Sequence, residues 1–137
     1  MHPLLISGSR AVVFAAGSYL LVLGIGALVR PQTAKRFLGG HAATLPLHVL
    51  ELALRVLVGG ALVLSAPRMP LSMAFLAVGW VLIGTSLVLA LVPWRLHQRF
   101  AAWSVPQATQ HMPLIGMGAL AGGLGLVAAL FLQSAAG

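Results

Sequence analysis

This chain of 137 residues carries one acidic side chain, eight basic ones and five histidines for charge or ligand chemistry. The acid is Glu51, and Arg55 follows it at i+4. In a helix that spacing puts both side chains on one face. The carboxylate is N-terminal to the guanidinium, the favourable order for an ion pair. With no Asp and a single Glu, the chain has neither a Ser-His-Asp set nor paired carboxylates for acid–base or metal work. It has no cysteine, so thiolate chemistry, disulfides and cysteine-ligated metals are excluded. No glycine loop leads into a Lys-Ser or Lys-Thr that could cradle a phosphate. The expectation is no catalytic residue and no metal site. Of the histidines His2, His41, His48, His97 and His111, the pair His48 and His111 stands out. Two imidazoles brought together in a helical bundle can hold a haem or a chlorophyll-type pigment. The plainer reading has them at the membrane interface, bonded to headgroups or connections, with no cofactor.

The elements that position these residues follow from composition. Of the residues, 60% are hydrophobic and 7% charged, and the mean hydropathy is +1.03. A soluble domain has about 45–50% apolar and about 25% charged residues. So few charges cannot coat a surface facing water, which excludes a soluble enzyme, a disordered tail and a free nucleic-acid binder. A bilayer core of about 30 Å takes about 20 apolar residues in a helix. Four stretches qualify: Ala11–Val29, Leu45–Ala66, Leu71–Val92 and Pro113–Leu132. Pro31, Pro46, Pro67, Pro70, Pro93 and Pro113 lie at or near their ends, where a missing N–H does least harm. The first stretch is long and lacks a clean A-x-A site, so it reads as a retained span and not a signal peptide.

Glu51 and Arg55 fall inside the second stretch, Arg55 near its centre. Each central charge costs about 2.5–3.5 kcal/mol on the insertion scale, against about 0.3–0.6 returned by each Leu or Val. The pair therefore roughly cancels the dozen Leu and Val residues of this span. A helix this marginal needs its neighbours. An ionisable residue inside a membrane is a functional-site hypothesis by default. The structural alternative, favoured here, is a satisfied ion pair that fixes packing or docks a partner subunit.

The basic residues set the orientation. Arg30, Lys35 and Arg36 lie in the first connection and Arg95 and Arg99 in the third, against Arg10 and Arg68 elsewhere. Five against two places the first and third connections in the cytoplasm and both termini outside. From Trp94 to Trp103, Leu96, Phe100 and Trp103 recur at i, i+4 and i+7, with Arg95, Gln98 and Arg99 opposite. That pattern predicts an amphipathic helix in the headgroup layer. Pro31–Leu38 is a shorter version, with Phe37 inward and Lys35 and Arg36 outward.

The chain also repeats itself. Arg36-Phe37 recurs as Arg99-Phe100, 63 positions on, and the same offset relates His48 to His111 and Gly59-Gly60 to Gly122-Gly123. Pro31 matches Pro93 with a slip of one residue. A repeat of two spans keeps its orientation, so the two hairpins are related by an axis along the membrane normal. On one face of the second span lie His48, Glu51, Arg55 and Gly59; their counterparts are His111, Leu114, Gly118 and Gly122, followed by Gly125. Gly118 and Gly122 form a GxxxG pattern, which lets membrane helices approach closely. The expectation is that the fourth span packs on the second along these faces, with Gly118 vacating volume for Arg55.

The segment from Trp80 to Leu132, with Leu91-Val92-Pro93-Trp94-Arg95, resembles small two-span bacterial inner-membrane proteins of no established activity. Their pattern is an apolar helix, Leu-x-Pro, Trp-Arg, a polar stretch and a glycine-bearing helix introduced by an arginine. The arginine is absent from the fourth span, where Gly118 stands, whereas the first half has Arg55 ahead of Gly59. The resemblance implies a bacterial inner membrane and adds no function. The sequence thus predicts one all-α transmembrane domain of four helices in two tandem hairpins, with short interfacial helices. The function it favours is non-enzymatic: an accessory or structural subunit among membrane lipids, packed on a larger membrane complex or on copies of itself. The first alternative is a small transporter of cations or lipophilic compounds using Glu51, and the second is a haem- or pigment-binding subunit.

Overall fold

A segment that is apolar on every face has one way to satisfy its backbone away from water, which is to bond within a helix. The computed structural model describes residues 3–40 and 44–135. Those residues form six α-helices and no strand: α1 (Pro3–Val29), α2 (Pro31–Gly40), α3 (Leu45–Ser65), α4 (Ser72–Leu91), α5 (Trp94–Ala108) and α6 (Met112–Ala135). Single 3-10 turns at Ala66–Arg68 and Thr109–His111 complete the connections. Four of the helical stretches are long and apolar enough to cross a membrane, and they contain α1, α3, α4 and α6.

Helix ends depart from the hydropathic boundaries for local reasons. Helix α1 starts at Pro3 and not at Ala11. Hydropathy marks what lipid can cover, whereas a helix also runs through polar residues. The Ser9 hydroxyl donates to the Ile6 carbonyl at 2.9 Å without breaking it. Helix α5 runs past Trp103 to Ala108 with Pro106 inside it. The chain then tightens into the turn at Thr109, whose hydroxyl donates to the Pro106 carbonyl at 3.1 Å. Leu71 joins the turn to α4 with φ 58°, a left-handed conformation that costs a branched side chain about 1–2 kcal/mol.

The packing overturns one expectation. Helix α6 lies along α1, and α4 along α3, with α1 and α3 joining the two pairs. The fourth span does not pack on the second along the face of Gly118, Gly122 and Gly125. All three are exposed. A β-carbon at Gly118 or Gly125 would meet nothing within 4 Å, and one at Gly122 only Leu20 Cδ1 at 3.6 Å. The glycines that let α6 approach are Gly116 and Gly123, which meet Gly24 and Gly17 of α1. A β-carbon on Gly24 would fall 2.8 Å from the Gly116 carbonyl oxygen, and one on Gly123 2.8 Å from that of Gly17. On each helix the two glycines are seven residues apart, two turns on one face, and the pairing is antiparallel. The other pair closes similarly: a β-carbon on Gly59 would stand 2.8 Å from the Gly79 carbonyl oxygen, and the reverse distance is also 2.8 Å. Such contacts replace side-chain interdigitation with backbone van der Waals contact, the means by which helices associate in lipid.

The buried core gathers Val13, Leu62, Leu126 and Leu130 near one end. Ser65 donates to Ser9 there, Oγ to Oγ at 3.0 Å, tying α3 to α1. At the other end Ala27, Ala34 and Met112 pack α2 under α1 and α6. Helices α2 and α5 touch, so both lie at this end. The flanks of the bundle expose Phe14, Val22, Leu54, Leu87, Leu124 and Phe131. An apolar exterior this extensive suits hydrocarbon and not water.

Candidate functional site

The ion pair and two of the histidines converge where α3, α4 and α5 meet. On α3, His48, Glu51 and Arg55 occupy successive turns of one face. Arg55 Nη1 donates to Glu51 Oε1 at 3.3 Å, and Arg55 Nη2 donates to Thr85 Oγ1 of α4 at 3.2 Å. Thr85 in turn donates to the Val81 carbonyl at 2.6 Å, so the guanidinium is held between two helices. The pair is not enclosed: 32% of the Arg55 side chain and 25% of the Glu51 side chain remain accessible. Arg55 Nε is buried with no hydrogen-bond partner. Gly118 lies elsewhere and vacates nothing for this guanidinium.

His48 is 4% exposed and faces His97 of α5, with ring centroids 4.5 Å apart and a tilt of 37°. His111, which the repeat offers as the counterpart of His48, is not its partner in this contact. His111 sits exposed in the turn before α6, whereas His48 is buried. Nor does the His48–His97 pair suit a haem between two axial imidazoles, because rings stacked at 4.5 Å leave no gap for a macrocycle. His2 and His41 lie outside the described residues.

His97 belongs to α5, whose Arg95, Gln98 and Arg99 set it apart from the apolar stretches. Burial holds His97 below the usual histidine range, and the neighbouring His48 and Arg55 add to this while Glu51 opposes it. One ligand atom from each of His48, Glu51 and His97 lies within 4.8 Å of the others. Glu51 and His97 also line a cleft of about 640 Å³ that runs under α2 and α5 past Leu38, Phe100 and Ile115.

Sequence reasoning singled out Glu51, Arg55 and His48, which the structure brings together, and missed His97 and Thr85. Nothing in the spacing of His97 ties it to Glu51, since 46 residues and the whole of α4 separate them. No protein-family model, curated protein or solved structure matches the chain.

Proposed function

We propose that this protein is a non-enzymatic subunit of the bacterial inner membrane, which packs against a larger membrane assembly or against copies of itself. The observation that carries this reading is the open flank of the Glu51–Arg55 pair. Arg55 is at the middle of α3, and about a third of its side chain stays accessible. A charge at that depth is tolerated where protein or a water-filled cavity covers it, not where lipid does. A partner surface over α3 and α4 would cover it. The exposed stripe of Gly118, Gly122 and Gly125 on α6 supports the same reading, because a smooth face accepts a neighbouring helix.

The orientation and the tandem repeat belong to this proposal. Helices α2 and α5 share one end, which gathers Arg30, Lys35, Arg36, Arg95 and Arg99. This end faces the cytoplasm on the positive-inside rule, and both short helices lie in its headgroup layer. Exchanging the halves carries the Gly17–Gly123 approach onto Gly79–Gly59 to within one residue, which supports two related hairpins. The transporter alternative draws on the cleft beside Glu51. It is disfavoured because Arg55 neutralises the carboxylate that would couple to protons.

The test is extraction in a gentle detergent, followed by identification of co-purifying proteins and of the oligomeric state. The native chain should emerge bound to a partner or to itself. Gly118→Leu should cut the recovered complex by about tenfold while the chain stays helical and monodisperse, because its β-carbon meets nothing within 4 Å inside the bundle. A native chain that is monomeric and free of companions would end this reading.

A further inference from the structure

We propose that His48, Glu51 and His97 form a binding site for a divalent transition-metal ion of the zinc class. The three residues place one ligand atom each within 4.8 Å of one another. Imidazole nitrogen and carboxylate oxygen are the donor set such ions prefer, and two histidines with one glutamate is a recurring three-ligand combination with an open position. A tetrahedral ion with bonds of about 2.0–2.2 Å spaces its ligand atoms about 3.4 Å apart. Closure from the present spacing is therefore on the order of an ångström. His97 is only partly buried and Glu51 has three rotatable side-chain bonds, so small side-chain rotations supply it.

A second observation points to a ligand. His48 is 4% exposed, and its Nδ1 and that of His97 are both buried without a hydrogen-bond partner. A buried polar atom left unpaired is costly and uncommon, and two on facing rings are more so. A metal ion would draw on both imidazoles. Glu51 need not give up Arg55, because a carboxylate has two oxygens and the guanidinium is bonded to Oε1. The open coordination position would face the cleft lined by Glu51 and His97, which gives the ion a route in and leaves room for water or an exchangeable anion.

His48 and Glu51 come from α3 and His97 from α5, so a bound ion would clamp the short basic helix onto the end of a long apolar one. This goes beyond the docking role proposed above and does not depend on it.

The experiment uses the full chain in detergent, purified on a tag free of histidine. Zinc is titrated against a chromophoric chelator, and cobalt serves as the spectroscopic probe. The expected result is one zinc per chain, and cobalt d–d absorption bands that zinc abolishes. His97→Ala should weaken zinc at least tenfold, as should Glu51→Gln, while His111→Ala leaves it unchanged. His97 is the decisive position because its side chain is partly exposed and its loss does not empty the core. A native chain that takes no zinc from the chelator would overturn the site. So would a folded His97→Ala chain that binds zinc as the native chain does, or an equal loss in His111→Ala.

Discussion

Glu51→Ala should destabilise the folded protein by about 3 kcal/mol, the cost of one uncompensated charge inside a span on the insertion scale. Arg55 would keep its bond to Thr85 at 3.2 Å. The guanidinium would still carry an uncompensated charge in the middle of α3. Removing both charges together, as Glu51→Leu with Arg55→Leu, should reverse the effect. Two central charges replaced by leucine improve insertion by about 6 kcal/mol on the translocon scale. The double variant should therefore insert and fold better than either single change, as read by membrane yield and by thermal unfolding in detergent. A double variant less stable than both single ones would mean that Glu51 and Arg55 hold separate contacts. Glu51→Gln distinguishes the transporter alternative. If Glu51 couples transport, the glutamine chain should fold and lose proton-dependent efflux in vesicles.

Gly24→Leu should be as damaging, for a steric reason. Its β-carbon would fall 2.7 Å from Leu120 Cγ, 2.8 Å from the Gly116 carbonyl oxygen and 2.9 Å from the Leu120 amide nitrogen. Two of these are backbone atoms, so no rotamer relieves the overlap, and α1 and α6 must separate along their length. Overpacking costs about 1–3 kcal/mol where side chains can give way. Here the loss should reach about 3 kcal/mol. Gly118→Ala and Gly125→Ala, with nothing within 4 Å, should stay within about 0.5 kcal/mol of the native chain. Thermal unfolding of the four proteins in one detergent makes the comparison. Equal damage from Gly118→Ala would restore the packing of α6 against α3 that the repeat had led one to expect.

Periodicity and length were enough to locate the long helices, because an apolar stretch of about 20 residues has few other conformations open to it. Helices α2 and α5 were visible from Phe37 and from Leu96, Phe100 and Trp103 recurring opposite basic residues. Which long helices become neighbours was not visible. Every span here is apolar and glycine-bearing, so hydropathy does not distinguish one pairing from another. The choice depends on which small residues line up. Gly118 and Gly122 matched a familiar spacing and face outward, while Gly17, Gly24, Gly116 and Gly123 carry a seven-residue spacing on two helices and meet. Two glycines at one spacing on each of two helices is the signal that was there to be used. At the polar site, Glu51 and Arg55 declared themselves by cost, since charges inside a span need a reason. His97 did not, because a histidine in a basic amphipathic helix looks like part of its solvated face until the fold brings α5 against α3.

The chain has no cysteine, so single cysteines can be introduced one at a time without a background. Labelling of intact cells and of inverted vesicles with a membrane-impermeant maleimide tests most directly whether four spans cross with α2 and α5 on the same side. Gly39→Cys in α2 and Ser104→Cys in α5 should both react only from the cytoplasmic face, and Arg68→Cys in the turn between α3 and α4 only from the outer face. Gly39→Cys and Ser104→Cys reacting from opposite faces, or Arg68→Cys reacting from the same face as either, would contradict the two-hairpin topology.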